Sequence, residues 1–135
     1  MPATLKDFLE ECDALGQVRL IVTNDGAVLE AKGKLEKLFY AELPKGKYAK
    51  MHSDVFEFHI NMDKIERVRF ETGEAKRGNF TTYAIRLLDA ADRSQLSIFV
   101  QWGKPGEYAP GQIEAWTSLK EKYGETWTPE KLEAI

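Results

Sequence analysis

Sulfur, imidazole and surplus positive charge are all scarce in this chain. Cys12 is the single cysteine, which excludes an intramolecular disulfide and leaves too little sulfur in one chain for a thiolate zinc cluster or an iron–sulfur centre. His52 and His59 are the whole imidazole supply, so a three-histidine metal site within one chain is excluded as well. Nineteen Lys and Arg stand against 22 Asp and Glu; the net charge of −3 offers no global positive field for DNA, RNA or an acidic bilayer. Apolar runs are short, far below the ~20 residues that cross a membrane. The opening Met-Pro-Ala-Thr-Leu-Lys-Asp has no basic stretch leading into an apolar one, so no signal peptide and a cytoplasmic, membrane-free protein are expected. A Gly-x-Gly-x-x-Gly turn after a strand, a P-loop, Gly-x-Ser-x-Gly and His-Glu-x-x-His are all missing. Nothing in the spacing of the two histidines points to a triad or an acid–base pair.

What is present is the balance of a globular protein, 43% apolar and 30% charged over 135 residues. A chain of this length buries roughly 65–70% of its unfolded surface. One domain over residues 1–135 is the expectation.

Thr4 and Asp7 resemble a capping box, and Leu5, Phe8, Leu9 and Cys12 follow at helical spacing up to the stop at Gly16. Cys12 falls on the apolar face and reads as a buried small hydrophobe. The period then changes to two: Val18, Leu20 and Val22 alternate with Arg19, Ile21 and Thr23, and Asn24-Asp25-Gly26 signals a hairpin. A returning strand is expected from Ala27 to about Leu43, broken near Gly33, with a turn at Pro44–Lys47. Further strands are read at Val55–Ile60, Ile65–Phe70, Phe80–Leu88 and Gln95–Trp102, the last three separated by turns at Gly73–Gly78 and Asp89–Arg93. Beyond Pro110 an apolar stripe of Ile113, Trp116, Leu119 and Tyr123 predicts a helix, and Thr128-Pro129-Glu130 opens a final short helix carrying Leu132 and Ile135. Helices gathered at the ends of consecutive strands predict an α+β fold: a large, mainly antiparallel sheet with an N-terminal helix and C-terminal helices packed on it.

In Val55-Phe56-Glu57-Phe58-His59-Ile60 the alternation puts Phe56, Phe58 and Ile60 on one face and His59 with Glu57 and Val55 on the other. That second face is either the solvent side of a half-buried sheet or a ligand platform, neutral imidazole being a good axial ligand for haem iron. His52, in a polar stretch, reads as a loop histidine. Arg67 and Arg69 share one face of their strand, and lysines at 32, 34, 37, 45, 47 and 50 make that region locally basic. These cations read either as a solvated face with lysine-guarded edges or as partners for carboxylates such as haem propionates. Trp102 and Trp116 are expected in the core, and Trp127 is a candidate for an interface.

Three stretches together resemble the intracellular haem-utilisation proteins of the HemS/ChuX/HutX type. They are Val28-Leu29-Glu30-Ala31-Lys32-Gly33-Lys34-Leu35; His59-Ile60 followed by Ile65-Glu66-Arg67-Val68-Arg69-Phe70; and Leu87-Leu88-Asp89-Ala90-Ala91-Asp92-Arg93-Ser94 followed by Leu96 to Val100. The resemblance implies an α+β fold, commonly a homodimer, and non-covalent haem binding in haem transfer, storage or iron utilisation. On position, His59 matches a histidine that some members use for haem. Their other histidine falls here at Thr23, which is no ligand for haem iron, so a single axial histidine is implied. The haem-breaking activity of the larger two-repeat members is not carried over. On this basis His59 is the expected metal ligand, with Arg67, Arg69 or a nearby lysine for the propionates and Met51, Met62 and Phe58 for the apolar walls. The alternatives are a homodimeric relative that kept the fold, lost haem and acts as a non-catalytic small-ligand or interaction protein, and a small flavin-type enzyme.

Overall fold

The computed structural model describes residues 3–75 and 77–135. Thr4 caps helix α1 (Leu5–Glu11) reciprocally: its hydroxyl accepts the Asp7 N–H at 3.1 Å and the Asp7 carboxylate accepts the Thr4 N–H at 3.2 Å. Leu5, Phe8 and Leu9 are buried by the helix, and Cys12 by the 3-10 turn that follows, where burial pushes its thiol well above the ordinary range. Replacing Thr4 by Ala removes one side of the box, and an expected loss of about 1 kcal/mol is read from the urea midpoint.

Strands β1 (Gln17–Thr23) and β2 (Val28–Lys34) form the expected hairpin, its turn held by Asn24 Oδ1, which accepts the N–H groups of Gly26 and Ala27. The returning strand does not continue to Leu43. Leu35 plugs into the core at 1% exposure and Lys37 takes a left-handed φ of 56°, which turns the chain out of the sheet. Strands β3 (Phe39–Leu43), β4 (Gly46–His52) and β5 (Glu57–Asn61) then make a separate three-stranded sheet in that order. The alternation in β4 is easily overlooked, because its buried side chains are Ala49 and Met51 among lysines. His52 therefore ends a strand, contrary to the expected loop.

Strands β6 (Arg67–Glu74), β7 (Thr81–Leu88) and β8 (Ser94–Val100) form the antiparallel meander that joins β1 and β2, with β9 (Thr126–Trp127), in a six-stranded sheet of order β2-β1-β8-β7-β6-β9. The turn expected at Gly73–Gly78 is shorter, because Gly73 and Glu74 pair within β6; Lys76 lies outside the described residues. Helix α2 (Gln112–Tyr123) starts after Gly111, so Pro110 sits just outside it rather than in its first turn.

The final helix expected from Thr128 is not formed. Thr126–Trp127 instead add as strand β9 to the edge of β6, and the Glu130 N–H donates to the Ala3 carbonyl at 2.7 Å. Backbone groups on the open edge of β6 and the indole of Trp127 draw the tail into extended form. Trp127 is half-buried within the chain: its ring centroid lies 5.3 Å from that of Phe8 and 4.6 Å from that of Tyr123, and its Nε1 is buried without a partner.

One face of the large sheet is apolar, with Val18, Leu20, Val68, Phe70, Ile85, Leu87, Leu96 and Ile98 buried. Over β6 and β7 it is covered by α1 and α2, through Phe8 against Phe70 and Trp116 against Phe70 and Tyr83. The same cluster takes in Ala49, Met51 and Ile60 of the small sheet. The opposite face carries Arg19–Glu30 and Arg86–Glu71 pairs at 3.2 and 2.9 Å.

Glu11 ties the two helices together, accepting from Lys122 Nζ at 2.5 Å and from the Tyr123 hydroxyl. Burial alone would raise its pKa, but the hydrogen bonds from Lys122 and Tyr123 outweigh it and hold the carboxyl below its ordinary 4.5. A carboxyl lowered in the folded state stabilises the fold above the unfolded pKa, and that contribution is lost as pH falls through the folded pKa. Glu11→Gln is thus expected to be less stable than the parent at neutral pH by no more than about 1 kcal/mol, a partly exposed pair. Urea midpoints of the two proteins should converge as the pH drops through the carboxylate range.

Candidate functional site

The β4–β5 hairpin is closed by Ser53. Its N–H donates to the Phe56 carbonyl at 2.8 Å, and its hydroxyl accepts the N–H of Phe56 at 3.1 Å and of Val55 at 3.3 Å. This closure sets the register, with His52 opposite Glu57, Met51 opposite Phe58 and Lys50 opposite His59. Side chains alternate across a strand, so Met51, Phe58 and Ile60 turn inward and His52, Glu57 and His59 turn out on one face. Nε2 of His52 lies 3.6 Å from one Glu57 carboxylate oxygen, and Nε2 of His59 lies 3.7 Å from the other. The rings are 6.0 Å apart, and Phe39 stands edge-on to His52 at 4.9 Å.

Each sheet leaves an edge free here, β2 in the large sheet and β5 in the small one. An apolar groove of about 540 Å³ is lined there by Leu20, Val22, Leu29, Phe56, Phe58 and Leu96, with Lys32 and Val55 also along it. A second hollow of about 420 Å³ shares Val22, Leu29, Phe58 and Leu96 and carries His59, Asn61 and Lys64. Each volume falls within the ~300–1,000 Å³ of small-molecule sites. Gly33 admits Phe56 to this place, since a Cβ there would meet the ring at 3.1 Å. Val22, Leu29 and Val55 are 47%, 72% and 83% exposed, an apolar set gathered at this margin. His59 stands on the rim with its side chain 41% exposed.

Of the site residues singled out from the sequence, Phe58, His59 and Lys32 of the basic stretch line these hollows. Met51 and Met62 are buried in the core, and Met62 lines a different cavity with Leu5, Ile65 and Leu132. Arg67 and Arg69 project from the face of β6 opposite to buried Val68 and Phe70, away from the groove. Arg67 is held by Asp92 at 2.6 Å and by the carbonyls of Asp89 and Ala90 at 3.3 Å; Arg69 lies 3.9 Å from Glu71. The expectation that these arginines meet His59 is corrected: β6 turns its apolar face to the core, so its arginines face outward. Thr23 also points away, since its neighbour Val22 is the residue that lines the groove. Sequence reading missed His52, Leu29 and Lys64. The one available signal was the period-two run through residues 48–52 that brings His52 level with Glu57.

Two packed antiparallel sheets flanked by α1 and α2, open between two edges beside a histidine, define an α+β protein with an apolar groove at its sheet margin. The chain belongs to the haem utilisation ChuX/HutX family, whose profile matches residues 1–119. No curated relative matches the sequence. Among solved structures, protein AGR_C_4470 from Agrobacterium tumefaciens superposes with a TM-score of 0.73 at 22% identity, covering 87% of this chain and 66% of that one. The heme-binding protein ChuX gives 0.69 at 19% identity, with 87% and 69% covered. PhuS, a heme-binding protein from Pseudomonas aeruginosa, gives 0.68 at 17% identity, with 96% and 36% covered. These proteins share the fold, and this chain spans about two-thirds of the shorter ones and little over a third of PhuS. No described helix is long and apolar enough to cross a membrane.

Proposed function

We propose that this protein binds haem non-covalently in the groove between β2 and β5, as cytoplasmic cargo for transfer, storage or iron utilisation. The observation that carries the reading is the exposed apolar groove with an imidazole on its rim, in a chain of a haem-utilisation family. Leu29, Val22, Phe56 and Phe58 would shield the macrocycle, and His59 would supply the single axial nitrogen. Lys32 and Lys64, each at the margin of a hollow, take the role of propionate partners that the arginines of β6 are turned away from. The homodimer belongs to the same proposal, and sedimentation of the purified chain checks it.

Titration of the haem-free protein with hemin should produce a shifted Soret band. In His59→Ala the histidine-ligated spectrum should vanish and affinity fall about tenfold, one lost bond of ~1.4 kcal/mol, while the groove still holds the ring. An unchanged spectrum removes His59 from the site. A second reading, a relative that has lost haem, is favoured by Thr23 and predicts no Soret band at all.

A further inference from the structure

We propose that His52, Glu57 and His59 form a site for one divalent transition-metal ion of the zinc, nickel or copper class. The inference stands on the geometry of the β4–β5 face and not on the haem reading. One ligand atom from each residue lies within 4.8 Å of the other two. In a tetrahedral ion with metal–ligand bonds near 2.0–2.1 Å, donor atoms are about 3.3 Å apart and two imidazole centroids about 5 Å. The observed 3.6 and 3.7 Å run from the two imidazoles to different oxygens of Glu57, and the rings are 6.0 Å apart, so χ rotations must bring one oxygen and both Nε2 atoms from within 4.8 Å of one another to a common centre. All three side chains are exposed and free to make them.

The backbone that carries them is fixed. Direct pairing of His52 with Glu57, and the two-residue step from Glu57 to His59, put the three on one face without any loop in the ligand set. Phe39, edge-on to His52, limits the arc of that ring. Two neutral imidazoles and one carboxylate suit borderline ions, whereas calcium and magnesium demand more oxygen than one carboxylate offers. Three protein ligands on an open sheet face leave the remaining positions to water. Lys50, opposite His59 in the register, is the cation that shares this face and tempers the affinity. Because His59 is also the proposed haem ligand, an ion bound here withholds its Nε2 from iron.

The test is calorimetric titration of the metal-stripped full chain with Zn²⁺, with Co²⁺ as a visible probe. One ion per chain is expected, and His52→Ala and Glu57→Gln should each weaken binding tenfold or more. His52→Ala should leave hemin affinity within about twofold. In the unmutated protein Zn²⁺ should shift the ring-proton resonances of both histidines, a readout that no folding defect can mimic. The proposal is overturned if the parent isotherm matches that of the His52→Ala/His59→Ala double variant, if one ion is shared by two chains, or if only one histidine responds. Hemin binding without zinc binding sinks this site alone; zinc binding without a Soret band sinks only the haem reading.

Discussion

Phe8→Ala is expected to cost about 3–5 kcal/mol of folding stability, the scale of a large aromatic deleted from a core that cannot close over the gap. Phe8 has 0% exposure and is met by Phe70 at 5.9 Å, Tyr123 at 5.1 Å and Trp127 at 5.3 Å, all with ring edges toward faces. Those partners come from β6, α2 and β9, so one side chain of α1 fastens both helices and the C-terminal strand to the large sheet. Each neighbour is held by its own backbone ladder and cannot shift far inward. Since domains of this kind are stable by only ~5–15 kcal/mol, the loss is about a fifth or more of the whole. Urea denaturation should show a much lower midpoint with the slope preserved. Val55→Ala, at 83% exposure, serves as the control and should stay within about 0.5 kcal/mol of the parent. A Phe8→Ala loss under ~1 kcal/mol would mean that the aromatic cluster is not what anchors α1.

Local pattern was enough where one element decides the outcome. The Thr4 box, the Asn24 turn and the outward direction of His59 each depend on a few adjacent residues, and each is found as read. It failed where a tertiary neighbour decides. The tail after Trp127 has a helix-start signal at Thr128, yet Thr126–Trp127 are taken up by the edge of β6 and the Glu130 N–H by the Ala3 carbonyl, so the segment between is not free to coil. Arg67 and Arg69 do share a face, but which face meets the groove follows from the order of six strands, which no local period encodes. The groove was hidden for the same reason. Its walls come from β1, β2, β5 and β8, and Leu29 resembles a core residue until the strand order leaves β2 at an edge.

That position of Leu29 gives a sharp test of the proposed hemin site. Leu29→Asp should lower hemin affinity by 100-fold or more while leaving the free protein nearly as stable as before. The side chain is already 72% exposed, so a carboxylate there stays in water and the fold loses little burial. Once a macrocycle covers the groove, the leucine would contribute about 1.5–3 kcal/mol of apolar burial, which aspartate forfeits. The carboxylate must also be stripped of water against an apolar ring, which adds a penalty of at least ~1–3 kcal/mol. Together these come to about 2.5–6 kcal/mol, a range that starts near the ~2.8 kcal/mol of 100-fold and runs well beyond it. Leu29→Ala, which loses only the burial, should fall about tenfold. The Soret band of whatever Leu29→Asp complex forms should retain its histidine-ligated position, because His59 is untouched. Hemin affinity that does not move in Leu29→Asp, with an unchanged urea midpoint, would place the ligand away from the β2–β5 margin, whatever His59→Ala does to the spectrum.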